Sequence, residues 1–190
     1  MTCGKAIGTA SRRLMAPDGP GPGHGSGPLP PPAALVVYFS YGGSTAKLAG
    51  ILAGKVSGAL AEIVPAVPYP EEEGRVSETA RAEGRSGTFP EIAEPSPDPS
   101  AYGTILVGSP VWWFGLAGPV RTWLSRRDFT GKKVRLFVTH GGGGPSGCLS
   151  DLAGLVRRAD VARDVLSVRG DGSGGLEGLD DARVLAWLAS

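Results

Sequence analysis

The chain has 190 residues, 41% of them hydrophobic, which is enough for one domain with a substantial core and short for two. Its formal net charge is +1 and its basic runs stop at pairs such as Arg126 and Arg127, so it lacks the electrostatic footprint of a nucleic-acid binder. Two cysteines, Cys3 and Cys148, make neither a disulfide framework nor a zinc site, and no apolar run approaches the roughly 18 residues of a membrane span, so the expectation is a cytoplasmic protein with no metal, nucleic-acid or membrane partner.

In chain order, residues 1–33 end in APDGPGPGHGSGPLPPPA, a composition that cannot bury enough apolar area to offset ordering, and they are expected to form a flexible extension before a single domain over 34–190. ALVVYF (34–39) is an apolar run of strand length, followed by a helix carrying Leu48, Ile51, Leu52 and Val56. AEIV (61–64), stopped by Pro65, predicts an edge strand. An acidic excursion over roughly 68–100 predicts a surface segment with one short helix near Val76 to Glu83. TILVG (104–108), VRLFVT (134–139) and DVLSV (164–168) predict three further strands. Helices are expected on Val120, Trp123 and Leu124, on Leu149, Leu152, Ala153 and Val156, and on a closing stripe of Leu179, Ala182, Leu185 and Leu188. Strands alternating with helices predict an α/β protein with a doubly wound parallel sheet, whose ligands bind beyond the carboxyl ends of its strands.

Three turns follow those strand ends. In SYGGSTAK, Ser40 leaves the first strand, Tyr41, Gly42 and Gly43 make the turn, and Ser44 or Thr45 caps the helix. Backbone N–H groups and hydroxyls converge there on the positive end of a helix, which suits a phosphate monoester; a capped helix entry without ligand is the plain alternative. GSPVWWFGLAGPV (108–120) sets Trp112 and Trp113 at the mouth of the sheet, where indoles suit a planar aromatic ligand, with one of the two expected to be structural. THGGGGPSG (139–147) lets backbone approach a ligand edge, with His140 beside it. The third turn also satisfies G-x-G-x-x-G through Gly142, Gly144 and Gly147, with Asp171 downstream, but Pro145 interrupts the loop and only one strand remains for a dinucleotide fold. Cys148 is expected to be a small apolar filler.

Taken together, FSYGGSTAK, GSPVWWFG and THGGGGPSG resemble the three flavin loops of the flavodoxin family, and the match extends over most of residues 34–190. The resemblance implies a flavodoxin-like five-stranded parallel sheet of order 2-1-3-4-5 and a non-covalent FMN. It implies that Ser40, Gly43, Ser44 and Thr45, in the loop that also holds Tyr41 and Gly42, take the phosphate. Ser109, Pro110, Trp112, Trp113 and Gly115 would line the isoalloxazine, and Thr139, His140, Gly141 and Gly142 would meet its pyrimidine edge. Gly42 stands where the family motif has threonine, Ser44 replaces asparagine, and no aromatic follows Thr139 in the third loop. Residues 34–190 carry 16 basic against 17 acidic side chains, which gives weak long-range steering toward a basic protein partner.

Three functions are consistent with this reading. One is a flavodoxin-type electron carrier, serving a redox partner protein or a small-molecule acceptor. Another is an FMN-dependent NAD(P)H:quinone-type oxidoreductase with His140 as a catalytic proton donor. The last is a binding module that keeps the fold without the cofactor.

Overall fold

A computed structural model describes residues 34–93 and 96–190, so the expected extension over 1–33 lies outside the described residues. Five parallel strands form the sheet: β1 (Ala34–Tyr38), β2 (Ala59–Glu62), β3 (Thr104–Trp112), β5 (Lys133–His140) and β6 (Asp160–Gly170). Their order is β2-β1-β3-β5-β6, which is the expected 2-1-3-4-5 when the parallel strands are counted alone. Two short strands were not anticipated. β4 (Gly115–Leu116) folds back antiparallel on β3, and β7 (Leu176–Glu177) does the same on β6.

β1 is buried throughout because both of its faces are covered. Leu35, Val37 and Phe39 enter one core with Val120, Trp123 and Leu124 of α3 (Gly118–Ser125) and Leu152 of α4 (Cys148–Leu155). Val36 and Tyr38 enter the other, with Leu48 and Leu52 of α1 (Ser44–Val56) and Val184 and Trp187 of α5 (Asp181–Ala189). The acidic excursion carries α2 (Glu73–Ser86), longer than the helix expected near Val76 to Glu83, and of the described side chains of that helix only Val76 and Ala80 are buried.

Two sequence expectations shift. The edge strand sits at Ala59–Glu62 rather than 61–64, because those four residues hold register against Leu35–Tyr38, and Pro65 pairs outside the sheet with Ile92. The closing helix turns inward only part of the expected stripe: Leu179 and Leu188 pack half-buried on the core, whereas Ala182 and Leu185 are exposed. Asp180 caps it, its Oδ1 accepting the Arg183 N–H at 2.7 Å, so Leu179 precedes the helix and the i, i+3 pair Val184 and Trp187 is buried while Leu185 remains 53% exposed.

Candidate functional site

The phosphate-type turn is built as its residues require. Ser40 Oγ accepts the Gly43 N–H at 3.2 Å, and Gly43 takes φ 89°, a left-handed conformation that costs glycine nothing. The chain then enters α1 through Ser44 and Thr45, both buried. Tyr41 leans outward and donates its hydroxyl to the carbonyls of Pro70 (2.7 Å) and Glu71 (3.1 Å), tying the turn to the segment after β2.

Direct contacts tie the three loops together at the carboxyl ends of β1, β3 and β5. Thr45 Oγ1 and Thr139 Oγ1 share a buried hydrogen bond of 2.7 Å across 94 residues of sequence. The Gly147 N–H donates to the Phe114 carbonyl at 2.8 Å, joining the third loop to the second. The Tyr41 and Trp112 rings meet edge-on at 6.0 Å, joining the first to the second.

The second loop differs from its sequence reading. β3 runs on past Gly108 to Trp112, turns through Trp113 and Phe114, and returns as β4. Both turn residues have positive φ, 45° and 66°, as a two-residue hairpin of type I′ requires at its centre. Bulky side chains in that region cost roughly 1–2 kcal/mol each, and such strain persists only where surrounding contacts impose it. Here the Gly147 N–H holds Phe114, and Trp113 Nε1–H donates to the Ser77 carbonyl of α2 at 2.7 Å.

The tryptophan pair divides as expected. Trp112 packs edge-on against Phe39 (5.4 Å) and Tyr69 (4.9 Å), whereas Trp113 is 46% exposed. Ser109 is wholly buried, its hydroxyl donating to the Pro110 carbonyl and accepting the Ala117 N–H at 3.0 Å, so it braces the hairpin's return. Pro110 is the register partner of Thr139. Gly115 is buried at the start of β4, with the Arg121–Asp151 ion pair pressed against it. In the third loop Thr139 is buried, Gly141 and Gly142 are exposed, and the Gly142 N–H donates to His140 Nδ1 at 3.0 Å.

A model of the flavodoxin family matches residues 33–163. The chain belongs to the flavodoxin family. Solved structures similar to this flavodoxin-family chain include a Bacteroides uniformis protein assigned as a flavoprotein, at 25% identity and TM-score 0.69 over 84% of this chain and 99% of that one. A Lactobacillus acidophilus flavoprotein in complex with FMN matches at 25% identity and TM-score 0.62, covering 82% of this chain and 97% of that one. The apo form of the flavoprotein from that organism matches at 26% identity and TM-score 0.56, covering 73% and 91%. A search of curated proteins finds no match.

Two features of this family member escaped the sequence reading. Phe114 is 73% exposed at the hairpin tip, and the adjacent bulky pair Trp113–Phe114 carries no turn signal of the Asn-Gly kind. The other is the loop after β6, Asp171–Gly175. Asp171 Oδ1 accepts the N–H groups of Ser173 (2.8 Å) and Gly175 (2.7 Å), and the loop so held lies on the first turn. A Cβ at Gly42 would fall on the Gly172 carbonyl, and a Cβ at Gly170 would lie 2.7 Å from Ser44 Oγ. The glycine run GDGSGG was the available signal, and only the fold brings it to residue 42.

His140 titrates below its usual range, because partial burial and the nearby Arg169 and Arg183 guanidinium groups disfavour its charged form. The unfolded chain therefore binds this proton more readily, and stability is expected to fall as pH drops below about 6.5. In H140Q the urea midpoint should lose that part of its decline between neutral pH and the lowered folded value. An unchanged profile would remove His140 as its source. Cys148 is buried with its thiol pushed up to about 12, first by burial and then by the Asp151 charge, which leaves it protonated and fits the expected filler. Among the described residues no group of side chains could hold a metal ion, and no helix is long and apolar enough to cross a membrane.

Proposed function

We propose that this protein binds FMN non-covalently beyond the carboxyl ends of β1, β3 and β5 and works as a flavodoxin-like electron-transfer protein. The observation that carries the reading is Ser44. Its hydroxyl is buried at the N-terminus of α1, a 13-residue helix, and has no hydrogen-bond partner. Leaving such a group unsatisfied costs about 1–3 kcal/mol, and a phosphate oxygen at the positive end of the helix would supply the missing acceptor.

The residues present fit the group. Ser40, Gly43, Ser44 and Thr45 would hold the phosphate, with Gly42 kept bare by the Gly172 carbonyl. The exposed Trp113 and Phe114 offer apolar faces for the ring system, while Trp112 and Ser109 hold the hairpin that presents them. Thr139, His140, Gly141 and Gly142 border the remaining edge, where His140, with Nδ1 accepting from Gly142, carries its neutral-form proton on Nε2. The flavin, when bound, supplies the electron chemistry, and the protein's part is to bind and orient it. The partner is a redox protein or a small-molecule acceptor in the cytoplasm.

A second reading, an FMN-dependent reductase drawing hydride from NAD(P)H for a quinone-type acceptor, is favoured by one observation. The positions a Cβ would take at Gly141, Gly142, Gly143 and Gly144 meet no other atoms within 4 Å, so the third loop leaves its side of the site open to a hydride donor. Bleaching of bound flavin by NADH or NADPH in stopped flow supports this reading, and no bleaching by either removes it.

The binding test is the visible spectrum of purified protein followed by anaerobic titration with FMN. Two oxidised-flavin bands are expected, and Ser44→Ala should weaken retention by about tenfold, the loss of one hydrogen bond to a charged group. Protein that stays colourless and titrates nothing overturns the reading in favour of a binding module without cofactor.

A further inference from the structure

A second concavity lies outside the three loops. It is a cleft of about 370 Å³ between α2 and the β3–β4 hairpin, lined by Arg81, Arg85, Phe89, Trp112, Trp113 and Arg121. Its walls are aromatic and its rim is cationic. Arg81 stacks its guanidinium 4.9 Å from the centre of the Trp113 ring, and Arg121 stands 5.1 Å from that of Phe89.

The charges in the cleft are unequally satisfied. Arg121 is spent: it pairs with Asp151 and donates Nε–H to the Leu116 carbonyl at 2.9 Å. The lining carboxylate, Glu83, is engaged as well, both of its oxygens accepting from the Tyr69 hydroxyl at 2.8 and 3.0 Å. It also lies against Gly118, the first residue of α3, where a helix start favours negative charge. Burial raises the Glu83 carboxyl above its ordinary range, and the hydrogen bond from Tyr69 works against that shift. Arg81 and Arg85 are exposed and enter no ion pair among the described residues. Two unpaired guanidinium groups beside a ring-lined cleft are a fork for a carboxylate or sulfonate and a platform for a flat apolar body.

We propose that this cleft binds a planar aromatic carboxylate or its sulfonate equivalent, with the ring system inside the aromatic-lined cleft and the anionic group on Arg81 and Arg85. The volume sits at the small end of the roughly 300–1,000 Å³ typical of ligand pockets, which is room for a small aromatic acid. The inference goes beyond the flavin site and does not require it. Trp113 belongs to both, however, so an aromatic acid here would lie beside the hairpin assigned above to the flavin.

The test is calorimetric titration of the full chain with 2-naphthoate and with 2-naphthalenemethanol, the same ring system without the charge. It is made on protein with and without FMN, whose retention is read separately from visible absorbance so that failure of the cleft and of the flavin site are distinguishable. Wild-type protein should favour the acid by at least about tenfold, and R81Q/R85Q should lose that preference while binding the alcohol unchanged. Equal binding of acid and alcohol, or no binding of the acid, overturns the proposal. So does a preference that survives in R81Q/R85Q, because the carboxylate would then be held elsewhere, as at the start of α1. Near-ultraviolet circular dichroism confirms that the exposed double variant keeps the native packing.

Discussion

Phe137→Ala should cost about 3–5 kcal/mol of folding free energy, a large share of the roughly 5–15 kcal/mol that holds a domain together. Phe137 is fully buried in the middle of the sheet, on the face covered by α1 and α5, among Val36, Leu48, Leu52, Leu166 and Trp187. Its ring also lies where a Cβ at Gly108 would stand, so the neighbouring strand has no side chain with which to fill the space. The cavity left by alanine can close only by moving backbone, which is why the upper part of the range applies. Urea unfolding should show a lower midpoint at unchanged slope. Leu185→Ala is the companion measurement: at 53% exposure on the outer side of α5 it should move stability by no more than about 0.5 kcal/mol. Comparable losses in the two variants would mean that α5 packs by the Leu185 stripe after all.

Gly42→Thr is expected to weaken FMN binding by at least about tenfold and to cost about 1–3 kcal/mol of stability, the range for forcing extra atoms into a filled space. The family pattern alone argues for the reverse result, since threonine would restore a hydroxyl donor to the phosphate turn. The fold decides against it. A threonine Cβ would meet the Gly172 carbonyl, which is backbone and is fixed by the Asp171 bonds to the Ser173 and Gly175 N–H groups. Accommodation therefore displaces either the Asp171–Gly175 loop or the turn that leads into Ser44. Urea unfolding and FMN titration read the two effects separately. Improved FMN retention would mean that the loop after β6 does not rest on the first turn.

The sequence by itself determined the parallel α/β class, because strands covered on both faces are written as near-continuous apolar runs and each helix as its own spacing. It also marked the loops as candidates for a phosphate and a flat ring, since glycines and hydroxyls after a strand suit an anion, with a plain capped helix entry as the alternative. The strand order came from the family resemblance of three loops, which no single run of residues contains. Tertiary structure decided the rest. Leu185 was misplaced in the stripe of α5 because it and Val184 are equally apolar, and only packing of the helix against the sheet chooses between them. The β3–β4 hairpin was invisible because Trp113 and Phe114 hold a conformation their own propensities oppose, imposed by bonds to Ser77 and Gly147. The meaning of Gly42 depended on Gly172, a residue that reaches it only through the crossovers that carry the chain from β1 to the far side of the sheet. Hydrophobic periodicity is a local property and survives in a linear reading, whereas the approach of two loops is fixed by how the whole sheet is wound.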